Sequence, residues 1–359
     1  MKTKLYCLIA LIMACGCTDD KFVNVNYITD EMLGHSRELV IDTLNVNDSI
    51  YVGSRDFLVY KDSFLVVLNG EPQDGCYLEV RRLDSGNLLR QFFRKGNGPG
   101  ELQSANVDLN NHHLFVNDYV RSQFSVINLD SAILNGEYHC SLLKNEITMS
   151  PTVVPYKDTY IIENPYCYCD SDAHIYQGIE QGVPRFIILG EGREENQFDQ
   201  YEYNTRSVAV DGRIICDMEN KNYVYAHFGK SEVEFYDSTL TLTNMVKGPR
   251  IMKTQYSVYS IDGNDQKNVI YNNRIPYCYL GYCCDDSDVY LLYIGDYLTN
   301  ESDINKMTTY ILRFDWKGHF KASYHVGMYL TSISKGRDTD TFYATAIDSK
   351  GQRMLIKLY

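Results

Sequence analysis

From Arg37 to the C-terminus, apolar and polar positions alternate in short runs separated by clusters of Gly, Asp, Asn and Ser. They almost nowhere recur at the spacing of a helix, so the pattern predicts many short, half-buried strands joined by turns. Laid out in order, the strands fall into groups of four. The first group is predicted at residues 57–60, 64–68, 77–83 and 88–93, and the second at 105–109, 113–117, 123–128 and 136–141. A weaker third group occupies 152–155, 159–163, 174–178 and 185–189, and a fourth 213–216, 223–227, 232–236 and 240–246. A fifth covers 277–283, 289–294, 308–314 and 319–326. The last group has only three strands, at 329–334, 342–346 and 354–358.

A degenerate mark recurs along this frame: an apolar strand, an Asp-centred turn, then another strand. It reads Leu83-Asp84-Ser85-Gly86, Leu129-Asp130-Ser131, Tyr236-Asp237-Ser238 and Phe314-Asp315-Trp316-Lys317-Gly318. Asp bonds its own backbone in such turns and Gly supplies positive φ. The first two marks lie roughly 46 residues apart, a blade-sized period, and the next gaps, roughly 107 and 78, fit two blades and one blade with insertions. The segment 38–44, before the first group, is strand-like and unassigned. Added to the last group as its outer strand, it makes up the missing fourth and leaves no open ring edge. The expectation is an all-β, six-bladed β-propeller over residues 37–359, closed by an N-terminal strand on the last blade.

The chain starts differently. Lys2 and Lys4 precede an apolar run from Leu5 to Ala14, too short to span a bilayer but suited to a signal peptide. It ends in Ala14-Cys15-Gly16-Cys17, which resembles a bacterial lipobox, whose cysteine is acylated and becomes the new N-terminus. Cys15 has Ile12 three residues before it. Cys17 is followed by Thr18-Asp19-Asp20, similar to the surface-export flank of Bacteroidetes lipoproteins, and is the favoured attachment site. Residues 1–17 are read as signal peptide and 18–36 as a linker from the lipid anchor. The expected place is the cell envelope, as an outer-membrane lipoprotein and possible surface protein, with membrane contact through the anchor.

After the last strand of the first blade comes Arg94-Lys95-Gly96-Asn97-Gly98-Pro99-Gly100-Glu101-Leu102. This segment resembles the signature of the TolB-like six-bladed propeller lipoproteins of Bacteroidetes, and Gly190-Glu191-Gly192-Arg193 is a partial echo. The resemblance covers essentially the whole mature chain. That family has no established general activity, so it implies fold and location rather than function.

Composition narrows the partners. A net charge of -13 argues against nucleic acid, which needs clustered Lys and Arg. The 31 Tyr against one Trp suit pleated surfaces with hydroxyls at wet edges. The 11 cysteines exceed what a core this large needs for stapling. Cys167 and Cys169 flank one residue, and Cys283 and Cys284 are adjacent. Neither spacing is that of a zinc pair. Asp285-Asp286-Ser287-Asp288 and Asp170-Ser171-Asp172 lack the distal Glu of an EF-hand and read as solvated turns. No nucleophile elbow is present, and His112, His113, His139, His227, His319 and His325 are scattered. Neither a cofactor nor a metal is expected.

Turns after the first and third strands of each predicted blade are tight, as at 61–63. The other connections, such as 94–103, 164–172, 190–204, 247–276 and 295–306, are long and share one face. Long loops on a rigid repeat tend to carry function. The candidate ligand-binding residues there are Arg94, Lys95, Glu101, Arg121, Tyr166, Tyr168, Arg193, Tyr201 and Tyr203, of types that dominate binding hot spots. The leading expectation is a non-enzymatic binding propeller for a glycan, peptide or envelope protein. The alternative is a propeller-scaffold hydrolase or lyase, with carboxylates and His converging at the channel mouth; Glu191, Glu194 and Glu195 are its acidic candidates.

Overall fold

The structure is a computed structural model describing residues 23–44, 54–70, 75–118, 120–121, 123–136, 141–142, 153–163, 174–180, 183–189, 212–252, 256–260, 267–271, 275–298 and 306–359. The fold is all-β and propeller-like. Three short strands open it: β1 (Asn24–Tyr27), β2 (Arg37–Glu38) and β3 (Ile41–Thr43), with one helical turn, α1 (Asp30–Gly34), between the first two. The first sheet contains Ser54–Tyr60, Phe64–Asn69, Cys76–Arg82 and Leu88–Arg94, and the second Asn106–Asn110, His113–Asp118, Gln123–Asn128 and Ser141–Leu142. The fourth contains Gly212–Cys216, Tyr223–His227, Glu232–Tyr236 and Leu242–Lys247, and the fifth Ile275–Cys284, Asp288–Leu298, Thr309–Asp315 and Phe320–Val326. The last contains Tyr329–Lys335, Phe342–Ile347 and Arg353–Leu358, with β3 on its outer edge.

These five sheets keep the up-and-down order of a propeller blade. The third sheet departs from it: Val153–Tyr156 and Thr159–Glu163 are followed across the sheet by Val183–Leu189 and only then by His174–Glu180. The strand carrying Phe186-Ile187-Ile188-Leu189 takes the interior position, and the more polar His174–Glu180 takes the edge. The connection read as one long loop, 247–276, contains a separate hairpin, Tyr256–Ser260 with Lys267–Tyr271.

Apolar clusters lie between neighbouring sheets, not within one central core. One joins the first and second sheets through Val66, Leu78, Val116 and Ile127, and another joins the second, third and fourth through Phe124, Val154 and Tyr225. Phe235 and Phe314 join the fourth and fifth, and Leu292 and Phe342 join the fifth and last. Val59, Val67, Tyr343 and Leu355 then join the last to the first.

The expected closure is seen in part. Antiparallel pairing joins Thr43 to Ile356 and Ile41 to Leu358. Glu38, read as the start of that strand, instead lies with Arg37 in β2, parallel to Phe320–Val326 of the fifth sheet. Further upstream β1 pairs in parallel with Leu242–Lys247 of the fourth. From Asn24 to Thr43, then, the second half of the stretch read as linker and the first residues read as propeller together form a strap along the outer edges of three sheets. Its apolar residues explain why: Ile28, Leu33 and Leu39 are buried among the sheets they cross.

One predicted turn is a helix. Leu129-Asp130-Ser131 begins α2 (Leu129–Asn135), where Asn128 caps the first turn by accepting from Ser131 N at 3.1 Å and Gly136 ends the helix at φ 76°. Leu129 and Ala132 bury its inner face; of the strand expected at 136–141, Gly136 is the helix cap, Ser141 lies in the strand Ser141–Leu142, and 137–140 lie outside the described residues.

Candidate functional site

The first strand of each sheet is the innermost. Asn110, on the second sheet, donates to Cys216 O of the fourth at 2.7 Å and accepts from Cys284 Sγ of the fifth. Ser334 of the last sheet accepts from Val59 N at 2.9 Å, and Ser332 donates to Asp56 of the first at 2.7 Å. These polar bridges link the first strands of five sheets.

Above them the turns between first and second strands frame a cavity of about 430 Å³. Its wall comes from four sheets: Tyr60 and Lys61, Asn111 and His112, Asp285 and Asp286, then Lys335 and Arg337, with Asp130 from the start of α2. The turns are tight because Lys61, Asp62 and Asn111 adopt positive φ, which lets two strands reverse within two or three residues. Three cations and three carboxylates thus share one rim. Lys61 Nζ lies 2.7 Å from both Asp130 oxygens. Asp286 accepts from Asn111 at 2.5 Å across the mouth. Asp285 is bound into its own turn by Ser287 N and Asp288 N, both at 2.9 Å. The Asp285–Asp288 run is therefore a self-bonded turn, and Asp288 is held by Arg313 and Lys321.

No protein-family model matches the chain, and no curated protein matches it in sequence. Solved structures do match in fold. The chain is similar to a Bacteroides fragilis protein named for an expected export, at 14% identity and TM-score 0.50 over 94% of this chain and 99% of the other. It is also similar to a DUF4221-family member from Bacteroides vulgatus, at 9% identity and TM-score 0.52 over 90% and 97%. The likeness is one of fold.

The ionisable groups of the cavity show what it can do. Burial opposes the Asp130 carboxylate, but Lys61 and Tyr60 beside it, with the charges of Lys61 and His112, together outweigh burial and hold its pKa below the usual range. Burial, and then the Asp130 charge, push the Tyr60 phenol up, and burial pushes the Cys283 thiol up. All three shifts move away from neutrality and favour fixed polarity over proton transfer. Lys335 is the exception, since burial pushes its ammonium down. It donates to Gly336 O at 3.0 Å and lies over the Tyr290 and Phe342 rings.

The sequence pointed to the opposite face. Of its candidates there, Tyr166, Tyr168, Arg193, Tyr201 and Tyr203 lie outside the described residues, as do Cys15 and Cys17. Arg94 and Lys95 are exposed. Glu101 and Arg121 serve their own loop. The Glu101 carboxylate accepts from Gly98 N at 2.7 Å, in a space that a Cβ on Gly96 or Gly98 would fill. Arg121 donates to Glu101 O at 2.8 Å and Gly98 O at 3.2 Å. The glycine-rich signature is thus a loop closed around its own Glu.

The described cysteines, Cys76, Cys216, Cys278, Cys283 and Cys284, are free, and burial pushes the Cys278 thiol up to about 12. A different set of metal-ligating groups converges in the fourth sheet: His227, Glu232 and Glu234, with ligand atoms within 4.8 Å of one another. Sequence reading passed over it because the three belong to two strands. The usable signal was Glu-x-Glu on a strand, five residues after a His across a short turn.

Proposed function

We propose that this chain is an exported, lipid-anchored six-bladed propeller that binds a small polar ligand of the glycan or peptide class at its axial mouth. Six sheets of four or five strands, packed each on the next and the last on the first, support the blade count. The lipobox and the glycine-rich segment support a place among TolB-like Bacteroidetes lipoproteins, and the Bacteroides fragilis protein of like fold is named for export. The cavity carries the binding reading. Its volume suits a ligand of modest size, its rim offers balanced charge, and its resolved carboxylate, phenol and thiol are shifted away from acid–base work. A hydrolase or lyase is the second reading, favoured by the lowered ammonium of Lys335.

The test uses the mature protein immobilised and exposed to polysaccharide and peptide fractions of the envelope. Binding of the retained fraction is then compared between Asp286→Lys/Arg337→Glu and Arg94→Ala/Lys95→Ala. Loss of two charge-assisted contacts weakens binding about tenfold or more in the first pair and leaves the second near wild type. Loss confined to the Arg94/Lys95 pair moves the site to the long-loop face. Turnover of the retained material, abolished by Lys335→Met, establishes the enzyme reading instead.

A further inference from the structure

We propose that His227, Glu232 and Glu234 hold a divalent metal ion of the zinc class, at a site separate from the axial cavity. The strands build it. Glu232 and Glu234 stand two residues apart on Glu232–Tyr236, so their side chains share a face. The neighbouring Tyr223–His227 strand runs antiparallel, pairing Tyr225 with Glu234 and Ala226 with Val233. That register brings His227, on the same face as Tyr225, next to Glu232, and the turn at 228–231 keeps it there.

The distances suit a small ion. His227 Nε2 and Glu234 Oε1 are 3.4 Å apart, with both side chains 0% exposed. Metal bonds of roughly 2.0–2.2 Å in tetrahedral geometry place neighbouring ligand atoms about 3.4 Å apart. These two groups therefore need almost no movement. The third donor, Glu232, is half-buried and within the 4.8 Å span, so a rotation of its side chain completes the set. Tyr236 donates its hydroxyl to Glu234 Oε2 at 2.5 Å, which fixes the carboxylate and leaves Oε1 toward His227. Partners of this kind orient first ligands and tune the ion. The His227 ring is held edge-to-face against Tyr225, 4.9 Å between centroids.

Charge and donor type select the ion. Two carboxylates and a neutral imidazole around a divalent cation sum to zero, whereas a buried and a half-buried carboxylate alone repel. Lys230 and Lys247 meet Glu232 at 3.5 Å and 3.3 Å and serve as its partners when no ion is bound. One nitrogen and few oxygens disfavour calcium and magnesium, which take six or more oxygen ligands or retain water, and favour zinc.

The test strips the mature full chain with a chelator, then titrates it with Zn²⁺ against a chromogenic competitor, with elemental analysis of the gel-filtered protein. The expected result is one equivalent retained and a thermal midpoint that rises with Zn²⁺. Tyr236→Phe weakens affinity roughly 10- to 100-fold. Glu232→Gln, at a half-buried position that leaves the core intact, weakens it at least as much while its circular dichroism stays that of wild type. A folded wild type that retains no zinc, or a Glu232→Gln variant that binds zinc as wild type does, overturns the proposal.

Discussion

At the residue scale, short polar side chains set the turns. Asp237 and Asp348 follow a strand and Asp315 ends one, and each accepts from the backbone N–H groups two and four residues on, at 2.7–3.0 Å. This is the local bond that makes Asp a turn former, and it accounts for the Asp mark at Asp237 and Asp315. Larger consequences come from polar groups the fold encloses. His113 sits on the second sheet with Nδ1 buried and without a hydrogen-bond partner among the described residues. Burial, then the nearby His112 and Lys221, lower its pKa from 6.5 to about 4. The neutral ring is thus native, and the unfolded chain takes up a proton near 6.5 that the folded chain refuses until about 4. The His113 contribution is fully present above 6.5, is lost as pH falls between those values, and is flat below. Denaturant unfolding at several pH values checks this: His113→Asn flattens the wild-type slope across that window and leaves it unchanged above 7.

Among elements, the N-terminal strap does most to join parts of the chain distant in sequence. β1, β2 and β3 each cap a different sheet, and edges left bare in this way template association. The strap also buries Ile28, Leu33 and Leu39, each contributing on the order of 1.5–3 kcal/mol by burial. Removing residues 1–43 should lower the thermal midpoint and cause concentration-dependent self-association, read by light scattering after gel filtration. A truncated protein that stays monomeric with an unchanged midpoint would show that the strap is dispensable. The third sheet shows how little an element's own pattern says about its neighbours. Its strands were found nearly in place, yet two of them exchange positions because the more apolar one pairs inward.

For the whole molecule, the expected path is export, acylation and display of a rigid body on a lipid anchor. Replacing both Cys15 and Cys17 by Ala should abolish acylation and move the protein from the membrane to the soluble fraction: on the lipoprotein reading the acyl chains are the anchor, and a net charge of -13 gives the body little attraction for anionic headgroups. Single replacements separate the two: Cys17→Ala alone should release the protein if Cys17 carries the lipid. Retention of the double variant in membranes, or a wild type without lipid mass, would end the lipoprotein reading.

Sequence by itself determined most of the strands and turns and the last sheet's need for an N-terminal strand, but not β1 or the hairpin within 247–276. Each depends on contacts between near neighbours or on a two-residue alternation that survives in a linear string. It also marked the glycine-rich loop, but not that Glu101 and Arg121 would be bound within it. Only the tertiary structure decided that β1 and β2 pair along the outer edges of the fourth and fifth sheets, that four inner turns frame a cavity, and that His227 meets Glu232 and Glu234. Those features bring together residues separated by a turn, a blade or nearly the whole chain. Their physical cause is the packing of one sheet on the next around an axis, which no local pattern encodes.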